Sequence, residues 1–366
     1  MMTSEIVNGI KATSLASMPK VREPLGKPTP YIISAYEGES MTIPGTKSVV
    51  RIFASAKETE GLMSVFAMDG AVADAPGFHY HEHAHDVFLC TKGHLKVWLD
   101  NKCKILGPGD FAYAPPRVVH QPQLLDHGIN ETVGLVTPGQ WVDFFRFVSE
   151  AYDGVLADED DARNPLDTFR PKFREIKEKY DVVFQPGYVG AAVSDFAEDD
   201  TKLPETQQAY YLKANTGPCH LLEGILSRPF ITTRQSAGPT GNFAVTSIES
   251  SNRHPSSILS KPFTFLKTHQ VYHVLDGAIS LSVHGEPGVL VTHGETAFVP
   301  AGTPMSIEFV DRYVRFWAYS SGDGLEALVS EGGTVFGGTI VPDQVGEVDV
   351  ERVRRAAERL HVKLSV

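Results

Sequence analysis

Cysteine is scarce in this 366-residue chain: only Cys90, Cys103 and Cys219 occur. An odd, sparse set builds no disulfide framework and fits a reducing compartment. No apolar run reaches the ~18 residues of a membrane span. The opening stretch, MMTSEIVNGIKATSLASMPK, lacks the apolar core of an export signal. The expectation is a cytoplasmic protein without a membrane partner. Positive charge is also short, with 33 Lys and Arg against 45 Asp and Glu and a net charge of −12. The acidic residues are scattered, which argues against a nucleic-acid partner.

Turn formers are plentiful, with 32 glycines and 24 prolines. Short β-rich runs such as SVVRIFAS, DVFLCTKG and HLKVWLD alternate with turns from Tyr31 to about Val136, and similar runs return from about Cys219 to Tyr319. The two blocks superpose. Gly93 opens GHLKVWLD and GPGDFAYAPP follows; Gly277 opens GAISLSVH and THGETAFVPAG follows. Gly93 to Pro115 spans 22 residues and Gly277 to Pro300 spans 23. A glycine-led strand, an acidic turn, a second strand and a proline thus occur twice in one order. This predicts an all-β fold built from a duplicated unit large enough for a jelly-roll barrel. Helical spacing appears between the blocks, in WVDFFRFVSEAYDGV and in NPLDTFRPKFREIKEKYDVV, the latter opened by Asn164 and Pro165. It appears again in DGLEALVSEGG and in the tail DVERVRRAAERLHVKL.

The stretch GFHYHEHAHDVFLCTKG, residues 77–93, concentrates the chemistry. His79 and His81 stand two apart, so in a strand both imidazoles share a face. Asp86 follows at the start of the next strand, and His120 lies 27 residues past Gly93. Three imidazoles and a carboxylate converging inside one barrel suit one divalent transition metal: copper, nickel, iron, manganese, cobalt or zinc. Asp86 has a simpler reading as a turn residue bonding its own backbone. His83 and His85 read as residues of the connection between strands and not as primary ligands, with His85 the substitute were the carboxylate to swing away. Glu82 falls out of phase and reads as solvated. Cys90 is in phase with Asp86 and Phe88 and reads as a buried thiol.

His79-x-His81-x4-Asp86-x6-Gly93 with Pro115-x4-His120 resembles the two cupin motifs, HxH-x4-E-x6-G and PxGxxH. The wider chain, through TPYIISAY, VGLVTPGQWVDFFRFV and AFVPAGTPMSIEF, resembles the fungal bicupin quercetin 2,3-dioxygenases over roughly residues 29 to 335. The resemblance implies an N-terminal arm at 1–30, an N-terminal cupin with the metal site at 31–150 and a helical or irregular linker at 151–215. A C-terminal cupin without metal ligands at 216–335 and a helical tail at 336–366 complete it. It further implies a copper-type centre held by His79, His81, Asp86 and His120. Asp86 would be the catalytic base that takes the proton of a flavonol hydroxyl before O2 cleaves the ring with release of carbon monoxide. The partners implied are a small aromatic substrate and O2, with a homodimer possible.

Two departures within the motifs stand out: the motif's glutamate is Asp86, and Arg117 takes the place of its glycine. Phe78, Phe88, Phe111 and Tyr113 are candidates for the substrate pocket, beside Trp98, Phe144 and Phe145. In the second block the positions matching His79, His81, Asp86 and His120 are Phe263, Phe265, Gln270 and Met305, so no metal is expected there. Other readings are an oxygenase of another phenolic or polyketide substrate, an isomerase or decarboxylase, or a non-catalytic bicupin that binds metal or ligand.

Overall fold

The computed structural model describes residues 18–71, 77–125 and 128–365. Its short, turn-bounded apolar runs form two barrels, each closed by a large and a small sheet. In the first, an eight-stranded sheet places Asn130–Thr137, His85–Lys92 and Phe111–Ala114 side by side. It faces a five-stranded sheet carrying His79–Tyr80, His120–Leu125, His94–Leu99 and Lys102–Leu106. In the second barrel a nine-stranded sheet holds Thr296–Val299, Gln270–Asp276, Val314–Ser320 and Ala244–Ser250. Its five-stranded partner carries Ala278–Val283, Met305–Phe309 and Phe263–Phe265.

The duplication read from the two glycine-led strands reaches down to single pairings. His79 lies opposite His120 in the first barrel, and Phe263 lies opposite Met305 in the second. Gly93 and Gly277 both adopt left-handed backbone, with φ of 64° and 65°. A Cβ would strike the Asn130 side chain at Gly93 and the Tyr313 carbonyl at Gly277, so glycine is required twice for the same tight turn.

The boundaries expected for the first barrel and the linker need correction. Tyr31–Ile33, expected to open the first barrel, pairs with Thr296–Val299 of the second. Tyr210–Leu212, expected as linker, pairs with Phe111–Ala114 of the first. Each barrel therefore covers a sheet edge with the strand that precedes the other barrel, which protects an edge otherwise open to pairing. The exchange is symmetric in its polar contacts. Tyr31 donates its hydroxyl to the Phe53 carbonyl at 2.7 Å, and Tyr210 donates to the Phe230 carbonyl at 2.6 Å. A shared apolar core containing Phe111, Tyr113, Phe230, Phe243, Trp317 and Tyr319 fills the space between the barrels. Three-residue apolar runs carry no signal for which sheet they join; the free edges decide it.

The linker and tail also differ from purely helical segments. Helices span Asp143–Val148, Pro165–Phe169 and Phe173–Tyr180, the second capped by the Asn164 side chain, which accepts from Leu166 N. After them, Val183–Phe184 pairs with His79–Tyr80 of the first barrel. The tail helix Val350–Arg359 is followed by Val362–Leu364, which pairs with Phe263–Phe265.

The helix Leu325–Gly332 packs its apolar residues into the second barrel's core and takes Glu326 with them, 2% exposed. The Glu326 carboxylate accepts from Gly324 N at 3.0 Å. Burial nonetheless pushes its carboxyl up to about 8. A carboxyl raised on folding adds stability below its unfolded value of 4.5, and that stability fades as pH rises through about 8. Relative to Glu326→Gln, the Tm of the wild-type protein should therefore fall between pH 4.5 and 8. Parallel Tm curves for the two proteins would contradict this.

Candidate metal centre

Strand alternation turns His79 inward, and His81, just past that strand, follows on the same side. His120 opens the strand opposite, and Asp86 enters from the large sheet, second residue of His85–Lys92. One ligand atom from each of the four lies within 4.8 Å of the others. All are buried: 2%, 1%, 6% and 1% exposed for His79, His81, Asp86 and His120. The His79 and His120 rings stand 4.3 Å apart, and His81 is 5.0 and 5.1 Å from them.

The hydrogen bonds decide which nitrogen of each ring is free. Nδ1 of His79 contacts the Gly77 carbonyl at 2.7 Å, that of His81 the Asp181 carbonyl at 2.5 Å, and that of His120 the Val118 carbonyl at 2.9 Å. A carbonyl only accepts, so each Nδ1 carries the proton. Trp141 Nε1 stands 3.3 Å from the same His81 nitrogen, but the shorter carbonyl contact prevails. Each Nε2 is thereby left for the interior. Those of His81 and His120 lie 3.2 and 2.9 Å from Asp86 Oδ2. This is the outer-shell pattern that orients metal-binding imidazoles.

Burial weakens the basicity of His79, and the neighbouring His120 and His81 add to the effect. Burial acts the same way on His81, but the charge and hydrogen bond of Asp86 together with the hydrogen bond and charge of Asp181 outweigh it and raise His81. Burial alone would raise Asp86; His81 and His120 overcome it and hold the carboxyl well below the usual carboxylate range. The centre thus keeps an ionised carboxylate facing inward-directed Nε2 atoms, a contact that requires a proton or a cation between them. Three nitrogens and one oxygen at this spacing fit a divalent transition metal.

Beside His79 and Asp86 lies a narrow cavity of about 30 Å³. Phe88, Phe66, Trp141, Phe144 and Phe145 wall it, with Val50 and Met68. Of the pocket candidates, Phe88, Phe144 and Phe145 line this cavity. Phe111 and Tyr113 are not: in Phe111–Ala114 the alanines face the barrel interior and the aromatics face the other barrel. Phe111 stacks on Phe230 at 5.6 Å. Phe78 also points away, packing on Trp98 and Tyr188, while Trp98 donates its indole N–H to the Ala191 carbonyl at 2.9 Å.

The connection reading holds for His83, which is exposed, but not for His85, which begins the strand and is 1% exposed. One residue before Asp86, it faces the opposite side and meets Tyr113 Oη at 2.7 Å, so it is no reserve ligand. Cys90 is fully buried, and burial pushes its thiol up to about 12. Glu82 bonds Arg117 Nε at 3.0 Å on the outer face. Arg117 takes φ of 69°, the left-handed backbone suited to the glycine it replaces, and its N–H bonds the His81 carbonyl at 2.6 Å.

Trp141 and Asp181 are the contributors missed in the sequence. The aromatic run after Gly139 could have pointed to Trp141; a single aspartate after a helix gives no signal for Asp181.

Residues 69–128 match the family model described as Cupin domain, and residues 259–365 match the AraC-like ligand binding domain. The fold is that of two cupin barrels in one chain, a bicupin. The bicupin is 33% identical over 127 residues to the quercetin 2,3-dioxygenase of Bacillus subtilis strain 168. That stretch is 35% of this chain and 37% of that enzyme's length. Among solved structures, an oxalate decarboxylase variant of B. subtilis has a TM-score of 0.49 at 14% identity, covering 80% of this chain and 77% of that one. A putative glyoxylate-induced protein of Pseudomonas aeruginosa reaches 0.46 at 11% identity, covering 76% and 82%. Likeness of this degree assigns no activity.

The second cupin is the internal contrast. Phe263, Phe265 and Met305 join its apolar core, and the Tyr272 hydroxyl lies 3.6 Å from Met305 Sδ. Gln270 is bonded to Ser320 Oγ at 2.8 Å. His269 stacks on Phe298 and His273 on Phe53, both turned out of that interior. Among the described residues, the His79, His81, Asp86 and His120 group is the one metal-type cluster.

Metal added at about 100 times Kd stabilises a folded protein by roughly 2.7 kcal/mol. Excess Co(II) should therefore raise the Tm of the bicupin by about 3–4 °C, and His120→Ala should abolish the shift. A shift of equal size in His120→Ala would contradict the assignment.

Proposed function

We propose that the bicupin is a metal-dependent dioxygenase of quercetinase type, acting with O2 on an enolic phenol. The observation that carries this is the inward-facing His79, His81, Asp86 and His120 set, whose His79 and Asp86 line an apolar, aromatic-walled cavity. The stretch matched to a quercetin 2,3-dioxygenase supports it. A divalent metal bound there would supply an open position and Lewis acidity for the substrate's enolate oxygen, copper being the metal the family resemblance favours.

The chain's own residues prepare the substrate. Asp86 Oδ2 is directed at His81 and His120, leaving Oδ1 to accept the enolic proton as general base. Phe66, Phe88 and Phe145 offer apolar faces to a flat ring and exclude water from it. A dicarboxylic acid, the kind of substrate named by the oxalate decarboxylases, suits this cavity less well, because among the described residues no lysine or arginine lines it.

The cavity is small for a three-ring flavonol. At about 30 Å³ it falls well short of the roughly 300 Å³ at which ligand pockets begin. The second reading is oxygenation of a smaller phenolic or polyketide enol, for which the cavity must open less, though still beyond its present volume. A flavonol requires the wall of Trp141, Phe144 and Phe145 to move outward.

Oxygen uptake by the metal-loaded bicupin across a panel of flavonols and single-ring enolic phenols tests both readings. Turnover is expected with at least one, falling about 10²–10⁴-fold in Asp86→Asn, as for loss of a general base. Binding without oxygen consumption across the panel would overturn the dioxygenase reading in favour of a non-catalytic bicupin.

A further inference from the structure

We propose that Asp181, in the segment between the two barrels, is a positioning residue that assembles the metal centre of the first. The inference rests on the metal-binding reading of His79, His81, Asp86 and His120.

The helix Phe173–Tyr180 ends at Asp181, which takes left-handed backbone at φ 55° and ψ 37°. That turn points both polar groups of Asp181 at the same short stretch of the first barrel. Its Oδ1 accepts from Glu82 N at 2.7 Å, and its Oδ2 accepts from His83 N at 2.8 Å and Ala84 N at 3.0 Å. Its carbonyl accepts from His81 Nδ1 at 2.5 Å. Glu82, His83 and Ala84 are three of the four residues separating His81 from Asp86. Three successive N–H groups that form no ladder are a natural seat for one carboxylate. One residue therefore sets the turn between two candidate ligands and also the tautomer of one of them.

The other two imidazoles are oriented locally. His79 and His120 each bond the carbonyl two residues earlier in the chain, just before their own strand. His81 instead depends on a residue 100 positions away. The interbarrel segment is pinned in place by Val183–Phe184 pairing with His79–Tyr80 and by Gln185 N bonding the Phe78 carbonyl at 2.8 Å. Loss of the Asp181 carboxylate would release the turn between His81 and Asp86, while His79 and His120 kept their own partners.

The test is Co(II) titration followed by visible absorption, which reads affinity and ligand set apart from turnover. Asp181→Ala keeps the main-chain carbonyl that accepts from His81 but frees the Glu82–Ala84 turn between His81 and Asp86. It should bind Co(II) about 10-fold more weakly than wild type, the lower end of the cost of disturbing an outer-shell partner, with an altered d–d band as the His81 and Asp86 geometry loosens. Asp110→Ala is the structural control. Asp110 likewise ties the interbarrel segment to the first barrel, accepting from Gly107 N at 2.8 Å and Ala214 N at 2.7 Å, and it bonds none of the four centre residues. It should lose stability but keep affinity and band.

Equal affinity and spectrum in Asp181→Ala and wild type would overturn the proposal and leave the metal reading intact. Equal weakening in Asp110→Ala would also overturn it, showing general loosening. No Co(II) binding by wild type would overturn the metal reading and the proposal together. Should Asp181→Ala fail to fold, Asp181→Asn, which retains one acceptor oxygen, is expected to lose several-fold in affinity, and no loss would overturn the proposal.

Discussion

Three imidazoles and an ionised carboxylate sit within 4.8 Å of one another, each nearly sealed from solvent. Buried charge is costly unless it is paired or bound to metal. The carbonyls of Gly77, Val118 and Asp181 remove the ambiguity of where each imidazole holds its proton, and in doing so they leave each Nε2 facing the centre. The rest of the first barrel serves this constraint. The five-stranded sheet brings His79 and His120 into one register, the large sheet delivers Asp86, and the aromatic wall keeps water out.

The second barrel shows what the same framework does without that constraint. Phenylalanines and a methionine occupy the corresponding register and close the interior as ordinary core. Its contribution to the centre is indirect, because the exchanged strands make the barrels one packing unit. Tyr31–Ile33 belongs to the second barrel's sheet yet bonds the first through Tyr31, and Tyr210–Leu212 does the reverse. The segment connecting the barrels is held against the strand bearing His79, which is where Asp181 can act.

Much of this was legible in the sequence, for definite reasons. The glycine-led strands and acidic turns recur because the same tight turn is needed twice, and His79 and His81 share a side because strand neighbours alternate. What was not legible depends on tertiary partners. Phe111 and Tyr113 alternate correctly, but only the presence of the other barrel decides that their side is the interface and that the alanines face the barrel interior. His85 resembles a loop residue in a histidine-rich run, yet the ladder with Phe111–Ala114 and Asn130–Thr137 begins beside it. Asp181 acts through a backbone carbonyl and a side chain 100 residues from its partner, a distance that no local pattern records.

The central claim is that the first barrel, and not the second, is built to hold one transition metal. Elemental analysis of purified, reconstituted protein, expressed as metal per chain, tests it most directly. The account predicts about one metal per chain in the wild-type protein and none in the His79→Ala/His81→Ala double variant. Two metals per chain, or one retained in the double variant, would contradict it by placing a metal outside the first barrel, and none in the wild type would remove the metal centre altogether.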